Sequence, residues 1–516
     1  MKKVVLIAPA NDFAGNLNVA RFTLLLSPPL GIMALGSYLA EHDVPVELID
    51  VQMDFGFGLT RDAERVVSRR VARYLHDQAD TIAWIGISQL SNAGSGITLA
   101  QEIHAALPDI PIILGGYFPS STYRLLLEKY PFITAIVRGD GEAAALQISR
   151  SLAQDRSFLS ARTPNLAWLD GGEIRATPIR PMPLDDLPIL DFRLLRNPSC
   201  YQIIDIITSW GCPFRCNYCL ENSMRPYAEH RMAWVARQLA HLEAELPNDR
   251  VFIYDPVVGV GRERTLEICR VLREHRFTYA LGSRVDVFPP DLLPALREAG
   301  VEAIYFGIES ASAETLVRMN KIHSAARAKN YLKSALEVLK ACFENGVTPF
   351  MGFMLGFPGD SEADYQATLE FVKDIGRLHN QVTGQTGIRT GFLISAFYTK
   401  IYDGSALAER VEKDFPETVL RSEPFIGERT VISPSPGVDL DVPRRYQAEI
   451  ARHGEYTPLA LERSWRFFSF SMEAFLSAHP ELTDNQGVTM LSDSLRRFTP
   501  ELSLASTLMH YDKSKD

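Results

Sequence analysis

Short apolar runs alternate with amphipathic segments along the first 155 residues of the chain. Strands are predicted at 4–8, 45–51, 81–88, 110–115 and 133–137, and helices at 29–42, 62–77, 97–107, 122–129 and 141–152. This alternation is typical of a parallel sheet that is covered by helices on both faces. The pattern therefore predicts an α/β fold that begins with a doubly wound, Rossmann-like domain over residues 1–155. Such sheets bind ligands at the carboxyl ends of their strands.

The alternation resumes after a hairpin and linker at residues 156–198, where Asp170-Gly171-Gly172 indicates the hairpin turn. Strands are then predicted at 203–209, 251–255, 278–285, 302–308, 348–355 and 388–397. Helices are predicted at 232–245, 263–275, 290–299, 313–319, 327–345 and 361–377. Six strand–helix steps predict a partial (βα)6 barrel over residues 199–399, open on one side for a substrate. Its catalytic residues would lie at the carboxyl ends of the strands.

Residues 400–516 carry no motif and are expected to form a mainly helical region that closes the barrel and shapes the substrate pocket. Tyr398, Tyr402 and Arg421 are weak candidates for that pocket. Apolar spacing predicts a packed helix around Trp465, Phe467, Phe468, Phe470, Met472 and Phe475.

Composition narrows the function classes. Of the 516 residues, 46% are hydrophobic and 22% are charged, which is ordinary for a globular protein, and the net charge of −10 argues against a nucleic-acid partner. The six cysteines include three in one short stretch, which does not resemble a disulfide framework. No run approaches the ~18 apolar residues of a membrane span. A cytoplasmic protein without a membrane span is expected.

Three cysteines, Cys212, Cys216 and Cys219, lie within eight positions, on a loop that leaves a predicted buried strand. Three thiolates this close suit a soft-metal site. A structural zinc site would want a fourth ligand, and the sequence contains no second Cys-x-x-Cys pair. On a four-iron cluster, three thiolates leave one iron open for a substrate or a cofactor. A zinc knuckle or a chance group of buried thiols is the alternative.

This spacing, with an aromatic residue directly before the last cysteine, resembles that of the radical S-adenosylmethionine (radical SAM) superfamily. The resemblance implies a [4Fe-4S] cluster on the three cysteines, with SAM bound to the open iron through its amino and carboxylate groups. An electron from the cluster then cleaves a carbon–sulfur bond of SAM and gives a 5'-deoxyadenosyl radical. By the same resemblance, Tyr218 lies beside the adenine of SAM.

Strand ends of the predicted barrel also resemble this superfamily. The segment 305–310 is similar to its fourth-strand motif, and 282–286 is similar to the end of its third strand. The resemblance implies that Glu309 accepts hydrogen bonds from the ribose or amino group of SAM and that Arg284 pairs with its carboxylate, a task suited to guanidinium. The alternative is that Arg284 and Glu309 pair with each other or with Asp286 and hold the barrel mouth.

Two further SAM contacts follow from the resemblance. The segment 354–360 is similar to the fifth-strand motif, where backbone around Gly356 lies along the adenosine. The second strand ends in Tyr254-Asp255-Pro256-Val257 and departs from the usual Gly-Gly-Glu pattern. Asp255 is therefore the candidate for holding the SAM amine.

Each motif of the first 150 residues is weak by itself, but in combination they resemble the cobalamin-binding domain that precedes many radical SAM domains. The residues expected to contact cobalamin are Gln89, Ser91, Gly115, Gly116, Tyr117, Gly139, Gly141 and Glu142. Paired glycines would let a ligand approach the backbone closely, although these glycines taken alone are better explained as ordinary turn glycines. Many cobalamin modules carry a cobalt-ligating histidine after the first strand, whereas here the segment 11–15 contains none.

The combined resemblance implies a cobalamin-dependent radical SAM methyltransferase. It would methylate an unactivated carbon of a small natural-product or cofactor-type substrate through the 5'-deoxyadenosyl radical and methylcobalamin. An electron donor such as flavodoxin or ferredoxin would be its partner. The alternatives are a cyclisation, ring rearrangement or oxidation with the same cofactors, a radical SAM enzyme that no longer binds cobalamin, and a non-catalytic metal-binding protein.

Overall fold

The computed structural model describes residues 2–10, 27–56, 61–88, 94–196, 198, 201, 203–221, 225–422, 428–455 and 457–463. Among these residues, no helix has both the length and the apolar character needed to cross a membrane.

The amino-terminal part is built on a seven-stranded sheet in the order β2-β1-β3-β4-β5-β6-β7. Its first five strands are parallel, and β6 runs antiparallel to β5. They are β1 (Lys3–Ala8), β2 (Val46–Asp50), β3 (Ile82–Ser88), β4 (Ile112–Gly115), β5 (Ala135–Val137), β6 (Leu166–Asp170) and β7 (Glu173–Ala176). The helices are α1 (Leu30–Glu41), α2 (Val51–Asp54), α3 (Arg61–His76), α4 (Gly94–Ala106), α5 (Tyr117–Lys129) and α6 (Glu142–Leu152).

Helices cover both faces of this sheet, as the sequence pattern predicts. One core cluster contains Met33 of α1 and Ile148 of α6, and a second contains Val71 of α3 and Ile103 of α4. Because both faces are buried there, the central strands β1, β3, β4 and β5 are mostly apolar. The predicted doubly wound arrangement is confirmed. The hairpin formed by β6 and β7 is present, and it extends this sheet at its β5 edge.

The second unit is a six-stranded parallel sheet in the order β15-β14-β13-β12-β11-β8. Its strands are β8 (Ile204–Ile206), β11 (Arg250–Ile253), β12 (Thr278–Ser283), β13 (Val301–Glu309), β14 (Thr348–Leu355) and β15 (Leu393–Tyr398). The connecting helices are α7 (Met232–Glu245), α8 (Arg262–Arg273), α9 (Leu293–Glu298), α10 (Ala313–Arg318), α11 (Ala325–Glu344) and α12 (Glu362–Thr386). The short pair β9 (Ser209–Trp210) and β10 (Ala228–Glu229) brackets the cysteine loop. This is the predicted partial (βα)6 barrel, with β8 and β15 at its edges.

The region after residue 399 combines helices with a small antiparallel sheet that the sequence pattern did not predict. The sheet has the order β16-β18-β17 and consists of β16 (Lys400–Tyr402), β17 (Val419–Ser422) and β18 (Glu428–Ser433). The helices are α13 (Ala406–Asp414), α14 (Asp441–Arg452) and α15 (Pro458–Arg463). The helix predicted around Trp465 to Phe475 lies outside the described residues.

Helix α15 packs at the amino-terminal end of the barrel. Ala460 joins an inner cluster with Phe252, Phe350 and Leu393, and Arg463 Nη1 donates to the Gly346 carbonyl at 2.5 Å. The opposite end of the barrel, where the carboxyl ends of the strands lie, faces the first sheet. That end holds the candidate site.

Candidate functional site

The cysteine loop leaves β8 at the carboxyl end of the barrel. Cys212, Cys216 and Cys219 are free thiols, and the Cys219 N–H donates to the Cys216 carbonyl at 3.3 Å, which folds the loop back on itself. Burial raises the pKa of Cys212, and it raises that of Cys219 to about 12. A bound metal reverses this effect, because a coordinating thiol is deprotonated. The three thiols thus lie on one short loop, and thiolates of this number and spacing suit a four-iron cluster.

Hydrogen bonds to its backbone fix the loop against the barrel and against α13. The Asn217 N–H donates to the Met319 carbonyl at 3.0 Å, and the Leu407 N–H donates to the Asn217 carbonyl at 2.8 Å. Asn320 Nδ2 donates to the Arg215 carbonyl at 2.7 Å. Within the described part of the chain, no three His, Cys, Asp or Glu side chains converge as they would around a single bound ion.

Asp255, the candidate for the SAM amine, supports the same loop. It is 7% exposed. Its Oδ1 accepts from the Thr208 N–H at 2.6 Å, and its Oδ2 accepts from the Thr208 and Ser209 hydroxyls at 2.6 and 2.7 Å. Burial raises its pKa, against these hydrogen bonds. Both oxygens are therefore engaged by the segment that leads into Cys212, and a contact with SAM stays a prediction.

Arg284 lies directly after β12 and is also engaged within the protein. Its Nε and Nη2 donate to the two carboxylate oxygens of Asp286 at 3.0 and 2.8 Å, and Nη2 also donates to the Lys321 carbonyl at 3.1 Å. Its Nη1 lies 3.3 Å from Cys216 Sγ. The structure thus contains the Arg284–Asp286 pair, which the sequence analysis gave as an alternative. A contact of Arg284 with the SAM carboxylate stays a prediction.

Glu309, the last residue of β13, is arranged differently. It is a non-glycine residue with φ of +71°, a strained conformation that is concentrated at functional sites. Its Oε1 lies 3.5 Å from Lys321 Nζ, whereas its buried Oε2 has no partner among the described residues. A buried carboxylate oxygen without a partner is costly unless a ligand donates to it. The arrangement fits the predicted contact with SAM.

The loop after β14 leaves room beside Glu309's strand. Gly356 has φ of +73°, and apart from its two chain neighbours no described residue has an atom within 4 Å of the position that a Cβ would take. Tyr218 packs near this loop, against the apolar cluster that contains Met354 and Phe357. Burial raises its pKa well above the ordinary value, and the neighbouring Glu309 adds to the effect. These positions agree with the predicted adenosine contacts of Tyr218 and Gly356 without testing them.

A cavity of about 640 Å³ lies between the first sheet and the barrel. On one side it is lined by the carboxyl ends of β1, β3, β4 and β5, and on the other by Trp210, Glu221, Arg225 and Tyr254 of the barrel. This size is within the range of ligand sites. Trp210 and Glu221, which flank the cysteine loop in the sequence, line this cavity, whereas none of the three cysteines does.

The predicted cobalamin residues within the described chain line this cavity, namely Gly115, Gly116, Tyr117, Gly139, Gly141 and Glu142. Gly116 and Gly139 have φ of +98° and +74°, which favours glycine, so the backbone lies bare at the cavity wall. Gln89 and Ser91, the other two, lie outside the described residues.

Glu142 begins α6 and is 7% exposed. Burial raises its pKa to about 7, with a further contribution from the nearby Asp140. Its Oε2 has no partner among the described residues. A carboxyl group in this position suits a neutral hydrogen-bonding ligand group such as an amide. The bare glycines and this oxygen fit a large amide-bearing cofactor.

Sequence reasoning missed the polar residues on the barrel side of the cavity. The Tyr117 hydroxyl donates to Glu221 Oε2 at 2.8 Å, and Arg225 Nη1 pairs with Asp140 Oδ2 at 2.9 Å. Each contact joins the amino-terminal sheet domain to the barrel. Only the position of Glu221, two residues after the cysteine motif, could have drawn attention to it.

Comparisons with known proteins decide what kind of site this is. The model of the radical SAM superfamily matches residues 206–372, and the model of the B12 binding domain matches residues 20–149. The chain is a radical SAM enzyme with a B12 binding domain. Its cofactors are a [4Fe-4S] cluster, SAM and cobalamin, and the residues described above fit all three.

Relatives of this radical SAM enzyme are distant. It is 25% identical over 395 residues to an uncharacterized methyltransferase of Pyrococcus horikoshii, covering 74% of this chain and 80% of the relative. It is 29% identical over 318 residues to an anaerobic magnesium-protoporphyrin IX monomethyl ester cyclase of Synechocystis, covering 57% of this chain and 59% of the cyclase.

Two solved structures share its fold. The cobalamin-dependent radical SAM enzyme OxsB, with aqua-cobalamin and SAM bound, superposes with a TM-score of 0.67 at 16% identity, covering 96% of this chain and 75% of OxsB. The radical SAM methyltransferase TsrM from Kitasatospora setae, with cobalamin and a [4Fe-4S] cluster bound, also gives 0.67 at 14% identity, covering 90% of each chain. The expectation of a radical SAM barrel behind a cobalamin-binding domain is confirmed.

Proposed function

We propose that the protein is a methyltransferase that methylates an unactivated carbon of a small natural-product or cofactor-type molecule. The observation that supports this most directly is the cavity that both domains share. Methyl transfer to a substrate radical requires the corrin and the site of hydrogen abstraction to open on one space. Here Glu142 at the cobalamin side and Glu221 next to the cysteine loop line the same cavity.

The chain's own residues would divide the work. The three cysteines would hold the cluster, Glu309 and Gly356 would orient the adenosyl group of SAM, and Glu142 would accept a hydrogen bond from a corrin amide. When bound, the cluster and SAM supply a 5'-deoxyadenosyl radical, and cobalamin supplies the methyl group. The Tyr117–Glu221 pair would hold the two cofactor sites at a fixed separation.

A second candidate is a ring closure or oxidation with the same cofactors, favoured by the 29% identity to the cyclase of Synechocystis. Both candidates need an electron donor, for which we propose a flavodoxin or a ferredoxin. A reducing, cytoplasmic compartment would keep the thiolate-bound cluster intact.

The test is anaerobic reconstitution with iron, sulfide and hydroxocobalamin, followed by reaction of methyl-labelled SAM with a small-molecule extract and titanium(III) citrate as reductant. A methyltransferase should form S-adenosylhomocysteine and 5'-deoxyadenosine in similar amounts and place the label in a metabolite. Formation of 5'-deoxyadenosine alone, with a product lighter by two hydrogens, would support the second candidate. The variant with Cys212, Cys216 and Cys219 all changed to alanine serves as the inactive control.

A further inference from the structure

Arg284 contacts a cluster cysteine directly. Its Nη1 lies 3.3 Å from Cys216 Sγ, which is within hydrogen-bond distance for sulfur. Arg284 is 7% exposed and Cys216 is 8% exposed, so water screens this contact poorly. The guanidinium donates, and the sulfur accepts.

The guanidinium is held in place from three sides. Asp286 accepts from Nε and Nη2, the Lys321 carbonyl accepts from Nη2, and the ring of Phe214 lies 4.0 Å below the guanidinium carbon. Phe214 belongs to the cysteine loop itself. Because the planar fork is fixed, little conformational entropy is lost in directing Nη1 at the sulfur.

Hydrogen bonds to the sulfurs, net charge and solvent exposure set the reduction potential of an iron–sulfur cluster. An electron taken from a low-potential reductant adds one negative charge and breaks no bond. A nearby cation therefore stabilises the reduced cluster more than the oxidised cluster. A nearby anion has the opposite effect.

We propose that Arg284 is a positioning residue that raises the reduction potential of the cluster through its hydrogen bond to Cys216. Asp286 fixes the orientation of the guanidinium and, as an anion, moderates the increase. This role differs from the predicted pairing with the SAM carboxylate. It rests on the cluster site within the proposed function and is independent of whether a methyl group is transferred.

The test is a redox titration of the reconstituted full-length protein without SAM or substrate, followed by electron paramagnetic resonance of the reduced cluster. Arg284→Gln should shift the midpoint potential to a more negative value, and Asp286→Asn should shift it to a more positive value. General loosening of the loop would not give shifts of opposite sign. Arg318→Gln is the matched control, because Arg318 forms a comparable pair with Asp360 in the same barrel, and its midpoint should equal that of the wild type.

An unchanged midpoint in Arg284→Gln, at an iron content equal to the wild type, would overturn the proposal. If that variant does not hold a cluster, Arg284→Lys keeps the charge without the fork and should give a smaller negative shift. A negative or absent shift in Asp286→Asn also overturns it. Weaker SAM binding by Arg284→Gln with an unchanged midpoint would assign Arg284 to the SAM carboxylate instead. A wild-type protein that binds no four-iron cluster would contradict the cluster site itself, and this inference with it.

Discussion

The barrel mouth and the cobalamin-side wall of the cavity use polar side chains in different ways. At the barrel mouth, Asp255 and Arg284 are engaged by partners within the chain, and both support the cysteine loop. At the cavity wall, Glu142 keeps a buried oxygen without a partner among the described residues, and the adjoining glycines leave the backbone bare. The first region is preassembled. In the second, Tyr117 and Asp140 are paired with the barrel, but Glu142 depends on an occupant to satisfy its buried oxygen.

Glu309 is the informative exception, because it lies at the barrel mouth but resembles Glu142. Both are buried carboxylates with one oxygen that has no partner among the described residues. A buried side chain whose hydrogen-bonding capacity is unused is therefore a better indicator of ligand contact than a polar residue that simply lies at the end of a strand. The unused oxygen distinguishes Glu309 from Asp255, although the sequence analysis predicted a contact with SAM for both residues.

The largest expected effect comes from the cluster cysteines. Alanine at Cys212, Cys216 or Cys219 should abolish reductive cleavage of SAM, because three thiolates are needed to hold the cluster and leave one iron open. Formation of 5'-deoxyadenosine and iron content measure this. Serine at the buried Cys269 or Cys342, which lie on α8 and α11, should leave the cluster intact. A SAM-responsive cluster in the triple-alanine protein would contradict the assignment.

The pH dependence of protein stability tests the role of Glu142 in the cavity wall. Its folded-state pKa is about 7, above the value of about 4.3 expected in the unfolded chain. Its contribution to the stability of the apoprotein is therefore complete below about pH 4.3 and is lost as the pH rises through 7, a change on the order of 3 kcal/mol. Glu142→Gln, which stays neutral, should become more stable relative to the wild type between pH 5 and 8.

Chemical unfolding at a series of pH values measures this difference. Glu337→Gln, in an exposed pair with Lys333, is the control and should follow the wild type. Parallel stability curves for Glu142→Gln and the wild type would show that this carboxyl is not desolvated. The barrel mouth and the cavity wall would then differ less in their use of polar side chains than the structure indicates.

The contrast between Glu309 and Asp255 gives the next effect. Glu309→Gln should weaken SAM binding by about 1.5–3 kcal/mol, the size expected for hydrogen bonds to a charged group. Asp255→Asn should instead lower thermal stability, because it disturbs three hydrogen bonds to Thr208 and Ser209, with SAM affinity unchanged in the protein that still holds a cluster. Equilibrium binding and thermal unfolding separate the two. A reversed pattern would return Asp255 to the SAM amine.

The sequence predicted the strands of the two parallel sheets and most helices well, because their patterns are local, but it missed the small antiparallel sheet after residue 399. The prediction began α5 at Thr122, whereas the helix starts at Tyr117 and passes through a non-helical Thr122; Pro119 is tolerated in a first turn. The turn at 170–172 was predicted, but the pairing of β6 with β5 was not. Strand pairing depends on contacts between distant segments, which hydrophobic periodicity does not encode.

The candidate site shows the same limit. Cys212, Cys216 and Cys219 were identified because their spacing is itself the chemical signal. Glu221 and Arg225 were not, because their importance arises only when Tyr117 and Asp140 of the other domain reach them. Whether Arg284 faced Asp286 or a ligand could not be settled from a pattern, since both geometries fit the same residues.

The smallest expected effect is spectroscopic and concerns the lower face of cobalamin. None of the described residues that line the cavity is a histidine, and the segment 9–29 after β1 contains none in the sequence. We therefore expect bound cob(II)alamin to lack a nitrogen ligand from that loop. Its electron paramagnetic resonance spectrum should show no nitrogen superhyperfine splitting, whereas free cob(II)alamin at neutral pH, with its own base coordinated, is the reference that shows it. A lower coordination number at the cobalt would ease its reduction and the release of its methyl group. Splitting in the bound form would mean that the cavity supplies a nitrogen ligand to the cobalt or leaves the cofactor's own base coordinated. The cavity wall would then resemble the preassembled barrel mouth.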